Sequence, residues 1–501
     1  MPSARKQVGG MQEAFIQLGG RGANAVDRAI RAIEKAGGQV LHAVPPRIVV
    51  ARIPAGTDDE LVGKGGITSV DTDAIRVTRS TRANHELSIA LAAWNDYVSP
   101  ERTLRALRNP VADLAWDKAP NRLPLHPPPE VIRELRAREA EIAPVVQGAP
   151  ATRGINMGIP VLVGRVAVGV VFVDSTVAAY AISNDEKSKI VSETTAGLNL
   201  LSAFEPRAGV QWFYDFKRPK ISLAASKFTE ATKSSWEDYW RDAALQAMGY
   251  AGSLAGMNQY IADIKAAHSA QHAFALFVTK YPKTWFAYVW GNHAVMDFTV
   301  DGWGVDNFDR VLAHETGHIF GCPDEYGSAN CNCTGLFGRY QIANGNCETC
   351  ASPFVPCLMA SNTPALCDYT RGHLGWNELA LQSKGTTSLK GTWTFDLDTG
   401  VQGPPSGSDL WWQQVNTVTR YLVPQSGAML AHMGKPNFDA VSLQTLQTQP
   451  YTATPINGSN NTGNKLTAGT VIAIRTSAGR YAKLKVESYG YNLGITWRTY
   501  K

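Results

Sequence analysis

The stretch His314-Glu315-Thr316-Gly317-His318-Ile319-Phe320-Gly321-Cys322-Pro323-Asp324 constrains this chain more than any other segment, because its chemistry demands one local structure. Two histidines four residues apart share a face on a helix, where two imidazole nitrogens can reach a single ion. Phe308, Val311 and Leu312 give that helix an apolar approach to the histidines. Gly321 is expected to end it. A residue without Cβ takes positive φ readily, so the chain can turn there and bring Asp324 back to the same ion. Glu315 stands beside the two ligands. From there its carboxylate can hold a water and take its proton as the water attacks a carbonyl, while the metal lowers the water's pKa toward neutrality. A chance pentad on a polar helix would account for His314, Glu315 and His318, but not for the glycine stop and the acid three residues beyond it.

The whole segment resembles the motif of the metzincin zinc metalloproteases, His-Glu-x-x-His-x-x-Gly-x-x-His, in the form that ends in aspartate as in the small snapalysin-like branch. The resemblance implies a catalytic Zn2+ on His314, His318 and Asp324, with Glu315 as general base and a polypeptide as substrate. It also implies a Met-turn beneath the metal, and Met359 in Cys357-Leu358-Met359-Ala360-Ser361 falls where that turn is due. Several metzincins carry a tyrosine two residues after this methionine as a transition-state donor; here Ser361 stands in its place. Tyr326 and Tyr369 are nearby candidates for that role or for packed aromatics. An aspartate ligand offsets part of the ion's charge, so a bound water is expected to be less acidic than in a three-histidine site. Glu325 and His373 are rivals for the third position. His268 and His272 are also four apart but lack the glutamate and the glycine turn, and read as a solvated helix face.

The seven cysteines all lie between Cys322 and Cys367. Cys331-x-Cys333 and Cys347-x-x-Cys350 form two close pairs, suited either to a second, structural Zn2+ or to two disulfides bracing an insertion. A reducing compartment favours zinc and an oxidising one disulfides. Cys357 and Cys367 flank the Met-turn as a candidate bridge, which leaves Cys322 as an odd, small apolar residue.

At 501 residues with 44% hydrophobic content, the chain is expected to divide into several domains. Residues 1–75 read as βαββαβ, the order of a ferredoxin-like fold: strands at 13–18, 39–44, 47–53 and 67–71, a helix at 25–36 stopped by Gly37-Gly38, and a capping box Thr57-x-x-Glu60. In size and element order this module resembles the propeptides of subtilisin-like proteases, which implies a prodomain and a latent proenzyme. An ordinary accessory domain is the alternative. Residues 76–153 read as a helical, proline-rich linker, with helices at 86–97 and 128–143, a proline-rich run at 125–129, and prolines and arginines that make it accessible to proteolytic maturation. Residues 154–385 show an α/β pattern: a nearly continuous apolar strand at 165–174, a helix capped by Asn184, a strand at 210–216, a helix at 235–248, and strands at 274–279, 285–290 and 293–298. Asp306 is expected to open the zinc helix. This order matches what the metzincin resemblance requires of a catalytic domain, in which an antiparallel edge strand, here within 285–298, pairs with extended substrate. Residues 386–501 alternate as an all-β domain, a sandwich or a barrel. Trp411, Trp412 and Tyr451 form its candidate platform for a glycan or other surface ligand.

Net charge is +5 without a long basic block, and the segment 330–350 contains only Arg339 among its lysines and arginines, which argues against a nucleic-acid partner. No apolar run has the length of a membrane span. Residues 1–20 mix charge and glycine without an apolar core, so no secretory signal is legible. The family resemblance favours a secreted protein, with a cytoplasmic one as the alternative. A competing function is a catalytically inactive, zinc-containing adhesion protein acting through its C-terminal domain, but such a protein has no need of Glu315.

Overall fold

The structure is a computed structural model and describes residues 10–20, 24–76, 85–118, 156, 158–351, 354–378, 381–404, 406–439 and 441–500. The helix expected at 128–143 and the proline-rich run at 125–129 lie outside them. The chain is a mixed α/β protein with several sheets, and it forms two compact units. The first takes residues 1–153, 162–331 and 356–366, and the second residues 154–161, 332–355 and 367–501. Residues 332–355 and 367–385, expected with the catalytic part, thus cluster with the C-terminal strands. Among the described residues, no helix is long and apolar enough to cross a membrane.

The first unit opens with β1 (Met11–Leu18), α1 (Ala25–Lys35), β2 (Gln39–Val44), β3 (Ile48–Pro54), α2 (Asp58–Leu61) and β4 (Ile67–Asp71). Val26, Ala29, Ile30 and Ile33 recur at helical spacing and bury one face of α1 against this sheet. The strands run β4-β1-β3-β2, each antiparallel to its neighbours. Thr57 does not form the expected capping box: its hydroxyl donates to the Pro54 carbonyl instead.

The sheet then continues. β5 (Arg165–Ser175), β6 (Gln211–Lys217), β7 (Lys220–Ile221), β8 (His272–Thr279), β9 (Ala287–Trp290) and β10 (His293–Asp297) extend the order as β2-β6-β5-β8-β10-β9, with β7 beside the end of β5. β2 meets β6 in parallel, His42 opposite Trp212 and Ala43 opposite Phe213. A module joined in this way is built into the sheet rather than laid over it. β6, β5, β8 and β10 are all parallel, and only the last strand, β9, runs antiparallel.

β5 is buried from Val166 to Val173, as a central parallel strand covered on both faces must be. α6 (Trp236–Ala247) and α7 (Leu254–Ala267) pack against one side through Trp240, Leu245, Tyr260 and Ile264. α5 (Asn184–Phe204) buries Ile190, Val191, Leu198 and Leu201. Its cap is Ser183 rather than Asn184, in a reciprocal box with Glu186. α5 lies against α8 (Phe308–Ile319), the histidine-bearing helix. A Cβ on Gly197 would overlap the Asp309 carbonyl oxygen, so the two backbones meet where only glycine fits. α3 (His85–Tyr97) packs Leu91 and Trp94 against Phe15 and Val50, and α4 (Pro100–Leu107) follows from the Ser99 cap.

The second unit contains the short pair β11 (Leu336–Phe337) and β12 (Ile342–Ala343), then α9 (Asp368–His373). Ten strands follow: β13 (Leu381–Leu389), β14 (Thr394–Asp396), β15 (Val401–Gln402), β16 (Leu410–Gln414), β17 (Arg420–Pro424), β18 (Met429–His432), β19 (Ile456–Asn457), β20 (Val471–Arg475), β21 (Tyr481–Ser488) and β22 (Leu493–Tyr500). They make two five-stranded sheets, β13-β22-β21-β20-β18 and β15-β14-β16-β17-β19. Phe395, Leu410, Trp412 and Leu422 from one sheet share a core with Ile472, Leu484, Ile495 and Trp497 from the other, which makes the pair a sandwich. A short helix, α10 (Leu443–Gln447), interrupts what composition predicts as all-β.

The expected aromatic platform does not form. Trp412 is core, with its indole N–H on the Tyr491 carbonyl, and Tyr451 is half-buried in a separate cluster; Trp411 remains half-exposed.

Candidate metal centre

α8 begins at Phe308, after a 3-10 turn over 305–307, rather than at Asp306. Its end explains how three candidate ligands separated by sequence meet. Gly321 has φ +83°, its N–H donates to the His318 carbonyl at 2.9 Å, and the Cys322 N–H donates to the Gly317 carbonyl at 3.0 Å. These two bonds close a Schellman motif and reverse the chain toward the helix face it has just left.

His314 Nε2 and His318 Nε2 lie 3.0 Å apart, and Asp324 Oδ1 lies 3.3 Å from each. Tetrahedral zinc with ligand bonds of about 2.0–2.1 Å sets its donors about 3.3 Å apart, so this triangle has the size of one face of such a site. The remaining ring nitrogens fix the tautomers. His314 Nδ1 donates to the Leu358 carbonyl at 3.1 Å and His318 Nδ1 to the Cys322 carbonyl at 2.8 Å, so both Nε2 lone pairs point inward. Two lone pairs and a carboxylate converging so closely repel unless a cation lies among them. Electrostatics agrees: burial opposes a charge on His318, yet the facing Asp324 and Glu315 carboxylates lift its pKa to about 9. The cluster favours a positive charge, proton or metal, and the donor set fits zinc.

Glu315 is buried, and its Oε2 has no hydrogen-bond partner within the protein. Burial raises its pKa against the pull of His318 and His314. An orphaned carboxylate oxygen beside such a donor triangle is a place for a water. Met359 is buried beneath the helix: a Cβ on Gly317 would stand 2.7 Å from its Sδ. The Met359 carbonyl accepts the Glu325 N–H at 3.0 Å, so the same turn that receives His314 at Leu358 also fixes the chain just past Asp324.

Glu325, the rival ligand, is itself fully buried at that turn. His373 belongs to the second unit, where burial lowers its pKa to about 4 and its Nε2 bonds the Ile342 carbonyl. Tyr326 is buried, and burial, together with the nearby Asp324 and Glu315 carboxylates, raises the pKa of its hydroxyl, while Tyr369 lies against Gly345 in the second unit. The upstream histidines do not share a helix face. His268 ends α7, while His272 opens β8 with its ring 5.0 Å from that of Phe320.

Cys333 and Cys350 form a disulfide, one cysteine from each close pair, and Cys331 and Cys347 are also disulfide-bonded. The sulfurs of Cys333, Cys347 and Cys350 lie within 4.8 Å of one another, so reduction would leave three thiolates grouped closely enough to hold a metal. The expected Cys357–Cys367 bridge is not formed. Both are buried thiols, and the Cys367 sulfur instead caps α9, accepting from the Thr370 N–H. Cys322 is likewise a buried thiol, its pKa pushed up by burial.

One support of the site carries no motif. Trp116 is buried with its ring 5.0 Å from that of His314, and its indole N–H donates to the Leu358 carbonyl at 2.6 Å. No sequence signal marks it, because its partners are more than 190 residues away in the chain.

No protein-family model, curated protein or solved structure matches the chain.

Proposed function

We propose that this chain is a zinc-dependent endopeptidase of metzincin type, with His314, His318 and Asp324 as metal ligands and Glu315 as general base. The observation that carries the reading is the donor triangle of 3.0, 3.3 and 3.3 Å. A bound zinc ion would supply Lewis acidity, lowering the pKa of a water and polarising the scissile carbonyl. Glu315, with one oxygen orphaned, takes the proton of the attacking water and passes it to the leaving amine. Met359 supports the ligand helix from below, and Tyr326 is buried beside Asp324. β9 is the antiparallel last strand of the sheet, ahead of α8, and such an edge can add an extended peptide as a further strand. That makes a polypeptide the substrate class.

The test is zinc content together with casein or peptide-library cleavage for wild type and Glu315→Ala. Zinc is expected in both, with kcat/KM reduced in the variant by about 10²–10⁴-fold, the usual effect of losing a general base. Wild type that holds zinc but cleaves nothing would favour the adhesion reading, and a variant as active as wild type rejects Glu315 as the base.

A further inference from the structure

We infer that residues 99–118, which read in the sequence as part of a linker accessible to proteolytic maturation, are a permanent wall of the metal centre, with Trp116 as a positioning residue for His314. The inference rests on the zinc reading above and names a part of that site no motif reveals.

Three sets of contacts fasten the segment to the elements that carry the ligands. At its start, Arg102 on α4 makes a bidentate pair with the buried Glu193 of α5, both bonds 2.7 Å, and reaches Asp309 in the first turn of α8 at 3.3 Å. In its middle, an amide ladder crosses three pieces of chain. Asn109 Nδ2 donates to Asn307 Oδ1 at 2.6 Å, and Asn362 Nδ2 donates to the same oxygen at 2.8 Å. Asn307 immediately precedes α8, and Asn362 lies three residues past Met359. At its end the segment meets the Met-turn through a single antiparallel bridge, Ala115 opposite Ser361. Asp113 N–H donates to the Asn362 carbonyl, Asn362 N–H to the Leu114 carbonyl, and Trp116 N–H to the Ala360 carbonyl.

Trp116 completes the fastening at the ligand itself. The Leu358 carbonyl receives two donors, His314 Nδ1–H at 3.1 Å and the Trp116 indole N–H at 2.6 Å. The indole thereby fixes the direction of the carbonyl that orients the ligating imidazole, while its ring packs against the same histidine. Outer partners of this kind set ring orientation and basicity, and their loss typically weakens metal binding about 10–100-fold. A propeptide that leaves on activation could not be trusted with such a bond, since its departure would loosen His314 as the enzyme was switched on.

The test uses full-length protein, zinc affinity by chelator competition, and the visible spectrum of the Co2+-substituted protein. Trp303→Phe is the control: Trp303 packs 4.8 Å from Trp116 in the same buried cluster, and neither of the carbonyls that orient the ligand imidazoles accepts from it. Trp116→Phe keeps an aromatic ring but loses the N–H donor and the bulk of the second ring, and Trp303→Phe, buried beside it, loses the same bulk without a donor to either carbonyl. Trp116→Phe is expected to raise the zinc dissociation constant about tenfold and shift the cobalt bands, while Trp303→Phe leaves both near wild type. An affinity for Trp116→Phe within about twofold of wild type overturns the inference, as does an equal loss in Trp303→Phe. Mass spectrometry of the active fraction gives a second arm: a species that begins after Lys118 and binds zinc as tightly as the full chain also overturns it. Wild type that takes up no metal overturns the zinc reading together with this one, whereas zinc-binding wild type with an indifferent Trp116 overturns this one alone.

Discussion

Gly317 sets how close the histidine helix comes to the turn beneath it. A methyl group there would stand 2.7 Å from Met359 Sδ, so Gly317→Ala must push the methionine or the helix aside. Overpacking of this kind costs about 1–3 kcal/mol. Thermal or urea unfolding should show that loss together with weaker zinc binding, and an unchanged variant would mean that Met359 simply moves away. His42 offers a test by pH. It sits in β2 with Nδ1 2.9 Å from the Tyr214 hydroxyl, and burial, assisted by Arg52, lowers its pKa to about 3. In the unfolded chain it titrates near 6.5. Below that pH the unfolded state binds a proton that the folded state refuses, so stability falls as pH falls, by about 1.4 kcal/mol per unit until about pH 3. Between pH 6.5 and 5, wild type should therefore lose about 2 kcal/mol more than His42→Gln in urea titrations; parallel pH profiles would reject the assignment. The residues legible in sequence, His314, Glu315, His318 and Asp324, are close enough in the chain for spacing to imply geometry. Trp116 is not, because its hydrogen bond to Leu358 spans 242 positions.

Elements were legible wherever the local pattern and the tertiary need agreed. The continuous apolar run of β5 and the stripe on α1 became the strand and helix their periods predict. Helix starts were less legible, because several polar residues compete to cap one end: Ser183 displaced Asn184, and Thr57 turned back to Pro54. α4 was not read at all. Its importance comes from a buried charge, which has no sequence period. Arg102 is the bidentate partner of Glu193, whose side chain is 1% exposed. Arg102→Ala leaves that carboxylate buried and poorly matched, a loss of about 3–5 kcal/mol. Denaturant unfolding that changes by less than about 1 kcal/mol would show that Lys189, also on Glu193, suffices alone.

For the whole molecule, composition indicated several parts but not how the chain is shared among them. The first unit gathers residues before and after the second unit's opening segment, an arrangement that no local signal encodes. The cysteines illustrate the same limit: spacing suggested that neighbours act together, whereas Cys333 joins Cys350 across 17 positions. Thiol labelling of the unreduced, unfolded chain should find the three cysteines outside disulfides, Cys322, Cys357 and Cys367, and all seven after reduction. Seven before reduction would return the cluster to a zinc-binding role. The seam between β2 and β6 bears on the molecule's behaviour in company. A strand margin left bare offers its amides and carbonyls to any passing chain, and Trp212 and Phe213 would make that margin sticky as well. By occupying it, the N-terminal strands act as a guard against fibrous self-association, a service that would continue long after any early task in folding was over.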